Sequence, residues 1–166
     1  MRVETVNGKS RRIPLRQRGV MLLEALVAIL LFSMGILALV ALQAVAIKNT
    51  ADAKYRADAA FLANQIIARM WMENPANLAT YAHYPTKDGA CSFSGSASSN
   101  ANVTTWLGDA SSGGTVAATL PGADADMQQI TIGSDNIVTV TLCWKEPDEA
   151  AAHSYVAVAQ INGTEP

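Results

Sequence analysis

The chain has 166 residues, which is enough for one ordinary domain and an appendage. Half of its residues are hydrophobic and only 16% are charged, so a fully disordered chain is excluded. The net charge of -2 hides a division, because residues 1–19 carry +5 and the remaining 147 residues carry -7. An acidic body offers no basic surface that could follow a phosphate backbone, and nucleic acid is therefore excluded as a partner.

An apolar segment follows the basic arm. The 18 residues from Ala25 to Leu42 carry no charge, and the apolar character extends over residues 20–47, with Glu24 and Gln43 as interruptions. About 20 apolar residues suffice for a helix that spans a membrane. Because the basic arm precedes the segment, the positive-inside rule predicts a single pass with residues 1–19 in the cytoplasm and the body on the other side.

A removable secretory signal peptide is the alternative for this segment. Ala44, Val45 and Ala46 form the small-x-small pattern of a cleavage site. The apolar part of a signal peptide runs about 7–15 residues, however, and this one is much longer. Its length favours a retained membrane helix.

Glu24 is the charged residue of this apolar segment. A carboxylate that faces lipid costs a few kcal/mol, so a functional reason is the default expectation. The alternative is that Glu24 lies close to the headgroups, where the cost is small.

The residues before Glu24 favour the functional interpretation. Residues 16–28 read RQRGVMLLEALVA, in which a basic stretch ends at Gly19, Val20 is apolar and Glu24 is the fifth residue after Gly19. This pattern resembles the prepilin cleavage and methylation signature of type IV pilins. Within that group, residues 20–28 are most similar to the PilV family of type IV pilus modification proteins, which are minor pilins.

The resemblance implies a processing pathway. Residues 1–19 are a leader peptide that prepilin peptidase removes between Gly19 and Val20, and the new amine of Val20 is then methylated. Glu24 can accept a hydrogen bond from the Val20 amine of a neighbouring subunit in a fibre. An unpaired buried carboxylate is strongly unfavourable, so this pair penalises a wrong axial register and makes Glu24 an assembly residue.

Two departures from the major pilins narrow the resemblance. The first mature residue is Val20, where major pilins usually have Phe, and no proline lies between Val20 and Asn74. Both features favour a minor pilin or a pseudopilin over the main fibre subunit.

The helix is predicted to continue beyond the membrane as an amphipathic segment, residues 48–74. Asn74-Pro75 predicts its end, because proline disfavours helical geometry in the residue before it. Two charge pairs at i,i+4 spacing, Asp52 with Arg56 and Lys54 with Asp58, lie on other faces. The apolar stripe, at spacings of three and four, consists of Ile47, Ala51, Tyr55, Ala59, Leu62, Ile66 and Met70.

The body, residues 75–166, begins with loop-rich sequence to about residue 125, including a Ser/Gly-rich stretch and a short helix at about Val103 to Asp109. Alternation then predicts antiparallel strands at Met127–Ile132, Ile137–Trp144 and Ser154–Ile161. We therefore expect an α+β fold, in which one long N-terminal helix, transmembrane in its first half, packs on a small antiparallel sheet of about three strands. The pilin resemblance implies the same arrangement.

Cys91 and Cys143, an even number of cysteines on the non-cytoplasmic side, favour a disulfide. The alternatives are a metal site shared with His83 and His153, or a cysteine nucleophile. Neither half of that set has a close ligand pair of the usual zinc spacing, so we predict no metal and no cofactor. We expect Trp71, Trp106 and Trp144 to be core anchors or rim residues rather than a platform for a sugar or a base. We expect Glu146, Asp148 and Glu149 to lie in a solvated loop.

The leading interpretation is a structural and assembly protein without catalytic activity. Its expected partners are prepilin peptidase, other pilins of the same fibre and inner-membrane lipid. It is expected in the inner membrane first, with its body in the periplasm, and then in the pilus. The alternatives are a minor pseudopilin of a type II secretion system and, in another class, a membrane-anchored periplasmic enzyme or sensor.

Overall fold

The computed structural model describes residues 18–147 and 149–161. The chain divides into two compact units, Met1–Lys48 and Asn49–Pro166. Apart from its last two residues, the predicted leader lies outside the described residues. The first helix, α1, covers Arg18–Trp71 and therefore contributes to both units, which are described separately below.

In the first unit, α1 carries exposed side chains at every position from Val20 onward. Ser33, a polar side chain in the uncharged stretch, donates a hydrogen bond from its Oγ to the carbonyl oxygen of Ile29 at 2.7 Å. Its hydroxyl is therefore satisfied within the helix, as a helix in lipid requires. Among the described residues, α1 is the one helix that is long and apolar enough to cross a membrane.

In the second unit, α1 presents the predicted apolar stripe to a core. Ala59, Leu62, Ile66 and Met70 are at most 1% exposed. Ile47 belongs to the first unit and is 71% exposed, so the buried part of the stripe is shorter than predicted.

The helix also ends at Trp71, three residues before the predicted end. The amides of Met72 and Glu73 donate to the carbonyls three residues earlier, which tightens the last turn. A 3-10 helix, Pro75–Tyr81, follows, and Asn74 caps it by accepting from the amide of Ala76 at 3.0 Å. The chain after Pro75 is thus ordered where the sequence indicated a loop.

Three antiparallel strands form the main sheet, in the order β3 (Gln129–Ile132), β4 (Ile137–Trp144) and β5 (His153–Gln160). The predicted bounds of β4 are confirmed, and those of the other strands shift by one or two residues. The turn between β3 and β4 places Asp135 and Asn136 at φ 56° and 54°. Asp and Asn tolerate this left-handed region better than other non-glycine residues.

A short helix, α2, packs beside α1. It covers Ala101–Leu107, two residues earlier than predicted, because Asn100 caps it and Gly108 ends it at φ 58°. Trp106 is 1% exposed and its Nε1 donates to the carbonyl oxygen of Leu62 at 3.0 Å. A single core therefore joins α1, α2 and the inner face of the sheet.

The connecting region holds two short strands and a further short helix. Strand β1 (Thr86–Lys87) pairs with β2 (Phe93–Ser94), and helix α3 covers Val116–Thr119. The coarse prediction of an α+β layout with a small antiparallel sheet is confirmed, with this second sheet as an addition. Of the three tryptophans, Trp106 and Trp144 are 1% exposed and lie in the core, whereas Trp71, the last residue of α1, is 50% exposed.

Candidate functional site

The first candidate site is the beginning of α1. The structure places Gly19 and Val20 in the first turn of the helix. Val20 and Glu24 are four residues apart, so they lie one above the other on the same helix face. Glu24 is exposed, and apolar side chains surround it along the helix.

The apolar surface around this site is unusually large for a protein in water. Large hydrophobic side chains from Val20 to Ile47 are 45–71% exposed. Scattered exposed apolar residues need no explanation, but a continuous apolar surface of this length indicates lipid or another protein. The first unit therefore requires an apolar environment that the described residues of this unit do not supply.

The second candidate feature is the predicted disulfide, which is present. The sulfur atoms of Cys91 and Cys143 are 2.01 Å apart and their Cα atoms 5.9 Å apart. The bond joins the segment between β1 and β2 to β4. Both alternatives for these cysteines are wrong, since oxidised sulfurs offer neither a thiolate nucleophile nor thiolate ligands for a metal.

Cys143 is buried although it does not lie on the apolar face of β4. The alternation of β4 puts Cys143 on the face opposite Val140 and Leu142, and Cys143 is nevertheless 0% exposed. The side chain of Gln128 lies beside it, accepting from the Cys143 amide and donating to its carbonyl oxygen, both at 3.0 Å. Gln128 is itself 0% exposed, so its side chain satisfies the backbone amide and carbonyl of Cys143 where water does not reach.

His83 is buried and fully engaged by backbone groups. Its Nε2 lies 2.9 Å from the carbonyl oxygen of Ala125, and its Nδ1 accepts from the amide of Ser98 at 3.0 Å. These partners require a neutral ring with the proton on Nε2. Burial lowers the pKa of His83, and the hydrogen bond to Ala125 opposes that shift in part. His83 is a structural residue and does not meet the cysteines.

A cluster that the sequence did not predict lies where the β4–β5 loop approaches α1. The ligand atoms of Asp52, Glu149 and His153 all lie within 4.8 Å of one another, and each residue is half-buried. Nε2 of His153 is hydrogen-bonded to Oε2 of Glu149. We call these three residues the α1–β5 cluster.

Two neighbours complete the surroundings of this cluster. The indole of Trp144, 1% exposed, stacks on the His153 ring with a centroid distance of 5.6 Å and an angle of 17°. Glu146 faces Asp52, and burial together with that carboxylate raises the pKa of Glu146. The prediction of a freely solvated loop is therefore wrong for Glu146 and Glu149, whereas Asp148 lies outside the described residues.

A turn at Pro121 and Gly122 positions the start of this loop. The carbonyl of Pro121 accepts from the amide of Lys145 at 2.9 Å. Gly122 has φ 59°, and a Cβ atom there would lie 2.7 Å from the carbonyl oxygen of Lys145. Only glycine fits this approach without strain, and the loop therefore leaves β4 in a defined direction.

None of the protein-family models, curated proteins or solved structures with which we compared the chain matches it. The interpretation of the site therefore rests on the residues and the geometry of this chain.

Proposed function

We propose that the chain is a prepilin-like minor subunit of a type IV pilus. In this proposal, prepilin peptidase removes residues 1–19 at the inner membrane, the amine of Val20 is methylated, and the mature chain joins a fibre through its apolar helix. The body, residues 75–166, lies in the periplasm before assembly. The chain itself performs no catalysis and is the substrate of the peptidase.

One observation carries the proposal: a basic arm that ends at Gly19, five residues before Glu24, precedes a helix whose apolar side chains are exposed over residues 20–47. A simple membrane anchor accounts for the apolar helix, but it gives no reason for a carboxylate at position 24. A helix that contacts lipid before assembly and helices of its own kind in the fibre accounts for both the apolar surface and the carboxylate. In the fibre Glu24 has a cationic partner, and in the membrane it lies near the headgroups.

The body supports a structural role. It is held together by a core and by the disulfide, and the two cysteines and His83 are occupied by structural contacts. The groups that the sequence suggested for a cysteine nucleophile are thus committed elsewhere. A membrane-anchored enzyme would need a different set of residues.

The test is the mass of the mature protein purified from its native membrane. We expect a chain that begins at Val20 and carries one added methyl group. Substituting Gly19→Trp should leave the full precursor in the membrane, while Gly35→Trp, a matched change farther along the helix, should be processed normally. A mature mass equal to the full chain, or to one that begins at Ile47, would contradict the proposal.

A second measurement separates a pilus from a type II secretion pseudopilus. The mature subunit should be found in fibres sheared from cells, and a deletion should alter pilus number while secretion of folded exoproteins continues. Loss of secretion with normal pili would assign the chain to a pseudopilus.

A further inference from the structure

We propose that the α1–β5 cluster is a binding site for a divalent transition-metal ion, with Zn²⁺ as the best fit. Asp52, Glu149 and His153 would each supply one ligand atom. The site is independent of the pilin proposal, because all three residues belong to the second unit and none lies near Glu24 in the sequence.

The geometry fits a small cation. The three ligand atoms come from a helix, a loop and the first residue of a strand, and they converge to within 4.8 Å of one another. In a tetrahedral zinc site with bonds of about 2.1 Å, ligand atoms lie about 3.4 Å apart. A metal ion can take the place of the proton between His153 and Glu149, since a ligating imidazole must be neutral.

A second observation concerns oxygen atoms that face the cluster without partners. Oδ1 of Asp52 and Oε1 of Glu146 are almost completely shielded from solvent, and neither accepts a hydrogen bond from any described residue. Shielded carboxylate oxygens without a donor are unfavourable unless a cation or a proton reaches them. The two side chains face each other closely enough to share a hydrogen bond when Glu146 carries a proton, and a bound cation would take the place of that proton.

The imidazole decides which class of metal fits. Ca²⁺ and Mg²⁺ take oxygen ligands, whereas an imidazole with carboxylates suits zinc and other transition metals. His153 is held by its stack on the buried Trp144, which limits the orientations of its ring. A preoriented imidazole with two carboxylates leaves a fourth position for water or for Glu146.

The consequence for the protein is a tie between α1 and the β4–β5 loop. Asp52 lies on α1 close to the start of the second unit, and the loop begins directly after the buried Trp144 at the end of β4. A bound ion would stabilise the folded chain, because the unfolded chain does not bring the three ligands together.

The test is a titration of the detergent-solubilised, tag-free full chain, freed of metal with a chelator, with Zn²⁺, Ca²⁺ and Mg²⁺ by calorimetry. We expect one Zn²⁺ per chain, with Ca²⁺ and Mg²⁺ binding at least about tenfold more weakly. Asp52→Asn and His153→Gln should each weaken Zn²⁺ binding by about tenfold or more. Asp88→Asn, which removes an exposed carboxylate outside the cluster, should bind like the unaltered chain.

Zinc X-ray absorption gives a readout that a structural role alone would not change. The loaded chain should show nitrogen and oxygen ligands with imidazole scattering, and that scattering should disappear in His153→Gln. Circular dichroism establishes that each variant is folded. The proposal would be overturned if the unaltered chain does not bind Zn²⁺, or if folded Asp52→Asn and His153→Gln chains bind it as tightly as the unaltered chain.

Discussion

At the scale of single residues, Glu24 makes the sharpest prediction. We expect Glu24→Ala to leave cleavage after Gly19 and membrane insertion unchanged, because the helix becomes more apolar. Incorporation into sheared pili should fall about tenfold or more, since the Val20 amine of the neighbouring subunit loses its acceptor and a lost charged pair is worth more than about 1.4 kcal/mol.

Gln43→Ala is the matched control, because Gln43 is the other polar interruption of the apolar segment. It should assemble normally, as measured by immunoblots of sheared fibres against membrane fractions. Equal recovery of the two variants would refute a specific docking role for Glu24.

His83 makes a pH prediction at the same scale. Burial lowers the pKa of His83 below the ordinary 6.5. As the pH falls, the unfolded chain therefore protonates this ring before the folded chain does. The contribution of this residue to stability is therefore complete above about pH 6.5 and is lost as the pH falls from there through the lower folded pKa.

NMR of the histidine ring nitrogens measures this directly. In the folded, metal-free chain His83 should titrate below pH 6.5 and carry its proton on Nε2 when neutral, whereas the denatured chain should titrate near pH 6.5. His153→Gln leaves a single imidazole and so assigns the signal. A folded His83 that titrates at or above pH 6.5 would contradict the buried, hydrogen-bonded ring.

At the scale of secondary-structure elements, the disulfide ties the segment between β1 and β2 to β4. Replacing Cys91 and Cys143 with serine should lower the free energy of unfolding by about 2–4 kcal/mol, because the unfolded chain regains the freedom of the closed loop. Proteolytic nicking should increase between Ser92 and Gly122, while the long helix stays intact. Urea unfolding and limited proteolysis check both effects.

The control for this pair is reduction of the unaltered chain, which removes the bond without introducing buried hydroxyl groups. Reduction should reproduce most of the loss in the free energy of unfolding. If two reactive thiols per chain are labelled in the denatured, unreduced protein, the bond is absent.

The packing of α2 on α1 makes a second prediction at this scale. Trp106 is buried and donates to the carbonyl of Leu62, so Trp106→Phe should cost about 1–3 kcal/mol through lost volume and a lost hydrogen bond. Trp71→Phe, at a half-exposed position, should change stability by less than about 0.5 kcal/mol. Chemical denaturation of the two variants gives the comparison, and equal losses would contradict the assigned environments.

At the scale of the whole molecule, the division into two units predicts separate behaviour. The second unit contains the described core and the disulfide, whereas residues 20–48 are exposed throughout. A chain of residues 49–166 produced in an oxidising compartment should be monomeric without detergent and should keep the near-ultraviolet circular dichroism of the full chain. The full chain should require detergent. Aggregation of the shorter chain, measured by sedimentation, would show that the first unit is needed for folding.

The amino-acid sequence by itself determined the features that depend on local spacing. The apolar segment follows from an unbroken run of uncharged residues. Periodicities of 3.6 and 2 residues predict the stripe from Tyr55 to Met70 and the bounds of β4, because each periodicity reflects a single apolar face of one helix or strand. The disulfide followed from an even cysteine count and from the expected location of both cysteines outside the cytoplasm. The Gly19 and Glu24 signature is likewise local, and its processing role stays a prediction.

Only the tertiary structure decided which distant groups meet. Asp52 lies on α1 and Glu149 and His153 lie around the last turn of the sheet, so no spacing in the sequence marks them as one cluster. The burial of Cys143 and His83 could not be predicted from local spacing either, because the segments that cover these residues come from other parts of the chain. Periodicity records which face of an element is apolar, whereas the contacts of polar groups depend on the path of the loops, which local spacing does not determine.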